Sequence, residues 1–264
     1  MPELAEVEAY RRLWDCGCGA VVQRVALHEQ VRVFRTTTAA AICSLAGSRF
    51  QHSEARGKLM LFRFSGGRWL GIHLGMSGEL HVESPEFQPA KHDHLVLHQK
   101  DRALVFTDPR QFGSVRFHVG KQAPDWWQSL SPDILSKQFT LGYMTDFLRR
   151  HGRLPIKGTL LLQSGFSGVG NWMADEILWR ARMNPRRKTG RLRGDEILQL
   201  WDQTRTVCRI ALARIVEGDC EPPKGWLFHQ RWGSKGKCPR DGSPLKRATV
   251  GGRTSAWCAK CQGK

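Results

Sequence analysis

The apolar pattern of this chain changes period part-way along, and that change limits the folds open to it. From residue 21 to 117, apolar residues come in short alternating runs at 21–25, 58–64, 69–74, 79–82, 94–98, 103–107 and 114–118, punctuated by Gly, Pro and Asp. Alternation with period two buries one face of a strand. Runs at this spacing predict an antiparallel sandwich or barrel. Gly66-Gly67 between two of them signals a hairpin. Beyond a connector holding Pro124, Trp126, Trp127 and Pro132, the period lengthens to that of helices, over 136–150, 157–163, 172–182 and 194–217. A further helix over 5–13 precedes the strands, with its acids in the first turn where the helix dipole favours them. From Trp226 onward short strands and glycines return. The fold class expected is α+β. Residues 1–119 form an N-terminal antiparallel β-sandwich with a leading helix, 120–135 a linker, 136–225 a helix–two-turn–helix domain and 226–264 a β-hairpin ribbon.

Charge narrows the partners. Lys and Arg number 41 against 24 acids, a formal +17 with pI near 10.1. Such a field favours polyanions, nucleic acid first and an acidic membrane surface second. Between 221 and 264, ten Lys/Arg face only Glu221 and Asp241, and Trp226, Phe228, Trp232 and Trp257 lie among them. Basic residues interleaved with aromatics suit a phosphate-and-base surface better than a lipid anchor, because no long amphipathic helix is visible there. No apolar run approaches the ~18 residues of a membrane span, and no signal peptide is apparent. The expectation is a cytoplasmic, nucleoid-associated protein without membrane contact. Five of the eight cysteines (Cys16, Cys18, Cys43, Cys208, Cys220) are scattered, which suggests reduced thiols rather than a disulfide framework.

Several short motifs carry chemistry. Once Met1 is removed, Pro2 offers a free secondary amine. A terminal amine titrates near pH ~8, so part of it is an uncharged nucleophile at neutral pH. With Glu3 and Glu6 beside it, this is the minimal kit for attacking an aldehyde-like carbon and forming a Schiff base. Lys58, after Arg56-Gly57 at the head of a strand, is either solvated or a phosphate clamp near that amine. Gly168-Val169-Gly170-Asn171 precedes a helix. Asn171 suits an N-cap, and the exposed N–H groups of a helix start suit a phosphate. Arg110 and Phe112 share one side of an extended tip, and Met76 sits between glycines. Met76 and Phe112 are either core residues or wedges entering a duplex where a base has left the stack. Cys238-x2-Asp241 and Cys258-x2-Cys261, sixteen residues apart, follow zinc-ribbon spacing with Asp in one cysteine position. The expected ion is one structural Zn2+, with a zincless ribbon as the alternative. Arg253 falls at the tip of that hairpin.

Taken in order, these motifs make the chain resemble the formamidopyrimidine-DNA glycosylase / endonuclease VIII family, bacterial base-excision repair enzymes, over essentially its full length. The resemblance rests on Met1-Pro2-Glu3-Leu4-x-Glu6, Gly57-Lys58, His73-Leu74-Gly75-Met76-Ser77-Gly78, Lys91-His92-Asp93-His94, Asp108-Pro109-Arg110-x-Phe112-Gly113, Gly168-Val169-Gly170-Asn171 with Ala174-Asp175-Glu176, and the ribbon with Arg253. It implies a monomeric bifunctional glycosylase and abasic-site lyase that grips double-stranded DNA containing damaged bases or abasic sites in a cleft between two domains. Pro2 would attack C1′ and form an iminium, Glu3 would protonate the sugar, and Glu6 would support them. β- and δ-elimination would then cut both sides of the lesion. Lys58, His92, Lys157, Asn171 and Arg253 would contact DNA. Met76, Arg110 and Phe112 would fill the gap left by the flipped nucleotide. Ala5 and Asp241 stand where the family usually has proline and cysteine. Segment 216–225 looks shorter than the stretch that caps flipped 8-oxoguanine in this family. The preferred lesion therefore stays open among formamidopyrimidines, 8-oxoguanine or its oxidation products, and oxidised pyrimidines. The alternatives are a non-catalytic DNA-lesion-binding protein that kept the fold and an RNA-binding zinc-ribbon protein.

Overall fold

The computed structural model describes residues 2–28, 32–216, 218 and 221–263, with the side chains of residues 215 and 216 excepted. Met1, whose removal the Pro2 reading requires, lies outside them, as do residues 217, 219 and 220 of the 216–225 segment. The chain divides into two compact units. The first comprises Met1–Pro2 and Glu6–Leu130, and the second Glu3–Ala5 and Ser131–Lys264.

In the first unit, helix α1 (Leu4–Leu13) leads into strand β1 (Arg24–Leu27) and the short helix α2 (Ala39–Cys43). Seven strands follow: β2 (Phe50–Arg56), β3 (Leu59–Phe64), β4 (Arg68–His73), β5 (Glu79–Glu83), β6 (Asp93–His98), β7 (Ala103–Thr107) and β8 (Ser114–Val119). They make two four-stranded sheets of order β1-β6-β7-β5 and β2-β3-β4-β8, with every pairing antiparallel. Side chains alternate across each strand. On β3, Met60, Phe62 and Phe64 enter the main core with Trp14, Phe50, Leu97 and Phe106, while Leu59 and Leu61 turn the other way toward Trp69 and Trp127. Trp127 belongs to a one-turn helix, α3 (Asp125–Gln128). Covering both faces explains why β3 reads as a nearly continuous apolar run. The β3–β4 turn needs two left-handed residues, and Gly66 (φ 72°) and Gly67 (φ 67°) supply them.

The second unit is helical and then stranded. Helices α4 (Leu141–Arg150), α5 (Ile156–Leu160), α6 (Asn171–Arg180) and α7 (Gly194–Val216) precede the antiparallel hairpin β9 (Lys246–Val250) and β10 (Arg253–Trp257). The helical spacing over 136–150 only becomes a helix at residue 141. Thr140 caps it there, its Oγ1 accepting the Tyr143 N–H at 3.0 Å. α5 and α6, joined by the glycine-rich turn 165–170, form the helix–two-turn–helix. Among the described residues no helix is long and apolar enough to cross a membrane.

Candidate active site

In the second unit the N-terminal segment is fastened to the start of α6. Glu3 is 2% exposed. Its Oε2 accepts the N–H groups of Gly170 and Met173, both at 3.0 Å, and its Oε1 accepts that of Trp172 at 2.9 Å. The Leu4 N–H donates to the Gly168 carbonyl at 3.1 Å. First-turn N–H groups of a helix lack intrahelical acceptors, and a carboxylate at the positive end of the dipole satisfies them. Asn171 is therefore not the cap expected from the sequence. The N-cap is Gly170, which has no side chain to offer, and the carboxylate that replaces one arrives from residue 3. Only glycine fits at 170, since a Cβ there would lie 2.2 Å from Glu3 Cδ.

One turn further on, Asp175 organises a buried network. Lys157 is 0% exposed, and its Nζ donates to the Asn171 carbonyl and to Asp175 Oδ1, each at 2.6 Å. Asp175 Oδ2 accepts from Arg231 Nη2 at 2.7 Å and from the Ala256 N–H at 3.2 Å. Burial pulls the Lys157 ammonium below its ordinary pKa, and Asp175 opposes that shift. This corrects the expectation that Lys157 grips the DNA backbone. Its ammonium has no exposed surface, so it holds the Asn171 backbone in place instead. Asn171 Nδ2 donates to the Thr254 carbonyl at 3.0 Å, and its buried Oδ1 has no partner among the described residues. Arg253 is exposed beside Thr254, after the turn Gly251-Gly252. A Cβ on Gly251 would come within 2.5 Å of Gly158 Cα. The hairpin tip thus docks on α5, bringing Lys157, Asn171 and Arg253 into one neighbourhood.

In the first unit, Pro2, Glu6, Tyr10, Met76, Ser77, Gly78 and Glu79 line a cavity of about 250 Å³. Burial, and then the Glu79 carboxylate beside it, raise the Tyr10 hydroxyl above its usual pKa, so it serves as a donor. Asp108, fully buried, ties two loops together. It accepts from Ser77 Oγ at 2.7 Å and from the N–H groups of Gly113 at 2.7 Å and Arg110 at 3.3 Å. Gly75, at φ 66°, lies against Phe112 and Gly113, and a Cβ there would meet their backbone at 2.4 Å. Met76 and Phe112 are consequently neighbouring projections, 38% and 47% exposed, with the Arg110 guanidinium 4.9 Å over the Phe112 ring. That exposure argues against the core-packing reading of both. His92, half-buried, accepts the Asp108 N–H through its carbonyl at 3.0 Å.

Lys58 follows Gly57 (φ 62°) in the β2–β3 turn, and the adjoining Leu59 pairs with His73 of β4. Burial, reinforced by Lys58, Arg116 and Arg35, depresses the His73 pKa to about 4. The imidazole is neutral at pH 7, with Nδ1 accepting the Gly75 N–H at 3.0 Å. Linkage gives a testable consequence. The unfolded chain protonates this histidine near pH ~6.5, the native one near 4, so its stabilising contribution is whole above 6.5 and disappears as pH falls through that window. His73→Gln should flatten the pH dependence of the unfolding free energy from urea titration between about 6.5 and 4, by up to ~3 kcal/mol. Parallel curves for the two proteins would refute this.

Metal-ligating groups gather in the second unit. One donor atom each from Cys238, Asp241, Cys258 and Cys261 all lie within 4.8 Å of one another. Cys238 Sγ is 3.7 Å from Cys261 Sγ, and Cys258 Sγ is 3.6 Å from Asp241 Oδ2. A tetrahedral ion with arms of ~2.3 Å to sulfur needs edges near ~3.8 Å, so the donor set fits a metal ion. The Trp179 indole N–H donates to Cys238 Sγ at 3.3 Å, the outer contact that orients a ligand. The sequence reading overlooked Asp108, Asp175 and His73 as individual residues. All three stand inside the quoted motifs, and that membership was the signal available.

Sandwich, helix–two-turn–helix and cysteine-bearing hairpin, in this order, define one class of two-part protein. Residues 1–115 match the family model of the formamidopyrimidine-DNA glycosylase N-terminal domain, and residues 130–218 match that of the formamidopyrimidine-DNA glycosylase H2TH domain. The formamidopyrimidine-DNA glycosylase of Symbiobacterium thermophilum is 35% identical over 277 residues, covering 99% of this chain and 89% of that protein. That of a Roseiflexus species is 34% identical over 281 residues, covering 99% and 100%. A Lactococcus lactis formamidopyrimidine-DNA glycosylase, solved non-covalently bound to DNA containing an abasic site, superposes with a TM-score of 0.88 at 27% identity, covering 99% of this chain and 100% of that one. The chain belongs to the formamidopyrimidine-DNA glycosylase family.

Proposed function

We propose that this protein is a DNA glycosylase of base-excision repair with abasic-site lyase activity, excising oxidised bases from duplex DNA as a monomer. The observation that carries the reading is Pro2 on the wall of a cavity it shares with Glu6 and Met76, in a chain of this family. The Pro2 nitrogen attacks C1′ of an extruded nucleoside, and the C1′–N bond to the damaged base breaks. Ring opening of the sugar leaves an iminium between Pro2 and C1′. That cation acidifies the C2′ proton, whose loss expels the 3′ phosphate. A second elimination expels the 5′ phosphate, and hydrolysis frees Pro2. Glu3, the residue after Pro2, fastens the N-terminal segment to the start of α6 through its carboxylate and stands beside the reacting sugar as its acid. Glu6 supports both. Lys58, His92, Asn171 and Arg253 hold phosphates, and Lys157 acts through Asn171. Met76, Arg110 and Phe112 replace the extruded nucleotide in the stack.

Lactococcus lactis relatives have been solved on DNA containing formamidopyrimidine-dG and on abasic-site DNA. The preferred substrate here is a ring-opened purine. The metal is one structural zinc held by Cys238, Asp241, Cys258 and Cys261, which supplies a crosslink for the hairpin and takes no part in the chemistry. Metal analysis finding less than one zinc per chain would refute that assignment. A panel of duplexes carrying formamidopyrimidine, 8-oxoguanine, oxidised pyrimidine and abasic sites tests the function. Excision of formamidopyrimidine with δ-elimination ends is expected. Binding without strand cleavage on every duplex would instead favour the non-catalytic alternative.

A further inference from the structure

Segment 182–193 carries Arg182, Arg186, Arg187, Lys188, Arg191 and Arg193 with no acid among them. Asn184, Arg186, Arg187, Lys188 and Arg191 line an open depression of about 660 Å³ on the second unit. None of these residues belongs to the site described above.

The depression is built on fixed backbone. The N–H groups of Ile156 and Lys157 donate to the Arg187 and Pro185 carbonyls at 2.8 and 3.2 Å, and those of Thr189 and Gly190 donate to Leu154 and Gly152 at 2.9 Å each. Arg187 serves as a brace, its fork held by both oxygens of Glu196 at 2.5 and 2.8 Å and by the Arg191 carbonyl at 3.0 Å. Arg193 is likewise engaged by Asp195 and Glu196. Arg186, Lys188 and Arg191 differ. All three are exposed, and among the described residues none has a carboxylate partner. The Arg186 guanidinium lies 5.0 Å over the Trp257 ring, an arrangement that positions the fork without neutralising it. Like charges crowded within a Debye length repel one another, and that repulsion is relieved when an anion sits among them. Guanidinium forks match the paired oxygens of a phosphate.

We propose that Arg186, Lys188 and Arg191 bind phosphates of the DNA backbone, a second contact surface beyond the residues assigned to the lesion. The surface is tied through residues 154–157 to Lys157, which holds Asn171, within the same compact unit as the helix–two-turn–helix. The proposal rests on the reading of the chain as a DNA enzyme.

The test is a salt titration of binding to undamaged duplex by the full-length protein and by an Arg186→Ala/Lys188→Ala/Arg191→Ala variant, whose thermal midpoint confirms the fold. Each phosphate contact contributes about 0.9 to the slope of log affinity against log salt, so the slope should fall by about 2 to 3. An Arg186→Lys/Arg191→Lys variant should keep the wild-type slope. A triple variant with the wild-type slope overturns the proposal. So does displacement by inorganic phosphate of a probe at this site with no change in DNA slope, which would mean a site for free phosphate only. Wild-type protein that binds no duplex takes down the functional reading instead, so the two failures are distinguishable.

Discussion

Protein with Pro2→Gly, processed so that residue 2 is terminal, is expected to lose at least ~10³-fold in single-turnover excision of a formamidopyrimidine, while still binding a duplex that carries an abasic-site analogue. Two properties of proline are lost together. Its secondary amine forms an iminium that carries a fixed positive charge, whereas the imine of a glycine amine must first gain a proton. Its ring also prevents free rotation of the amine about the N–Cα bond, holding the nitrogen against the cavity shared with Glu6 and Met76, where a terminal glycine amine would turn freely. Protein that retains Met1 makes the same point by another route, because the proline nitrogen then lies in an amide and is no longer a nucleophile. Borohydride reduction followed by peptide mapping is the measurement. The wild-type adduct should map to residue 2, Pro2→Gly should give far less of it, and the protein that retains Met1 should give none. An adduct on Lys58, the motif lysine of the same unit, would transfer the nucleophile's role and remove Pro2 from the mechanism.

What the sequence could show follows from the range of the forces involved. Strand β3 was visible within a residue of its bounds because it is buried on both faces. Strand β2, Phe-Gln-His-Ser-Glu-Ala-Arg, was not. Only Phe50 and Ser53 of that strand are fully buried, and a register shift between Phe50 and His52 spoils the alternation. Helix α2 was missed because five residues are too few to set a period. The motif residues around 76 and 112 were legible as short loops, and their convergence on Asp108 was not, since it joins residues 77 and 113 through one side chain. Lys157 misled for a similar reason. A lysine is ordinarily at the surface, and the carboxylate that keeps this one buried lies eighteen residues further on. The longest-range feature was the least legible of all, a helix capped by an acid 167 residues away in sequence.

That cap leads to the second large effect. Gly170→Ala should destabilise the protein by about 2–4 kcal/mol and should slow excision, although residue 170 has extended backbone (φ −121°, ψ −158°) that alanine tolerates. The damage comes from volume. The new Cβ would occupy the position 2.2 Å from Glu3 Cδ, so the carboxylate must withdraw. Three buried N–H groups, of Gly170, Trp172 and Met173, then lose their acceptor, and the segment bearing Pro2 loses its anchor. Glu3→Ala removes the same acceptor without the clash. The two substitutions should therefore be strongly non-additive, the double variant Glu3→Ala/Gly170→Ala being little worse than Glu3→Ala alone. Urea midpoints of the four proteins supply the stability cycle, and single-turnover excision supplies a second. If the stability effects simply add, the methyl group at 170 acts on something other than the carboxylate. If they couple in stability and excision survives in Gly170→Ala, Glu3 is a structural cap, and the acid that protonates the sugar must be sought at Glu6.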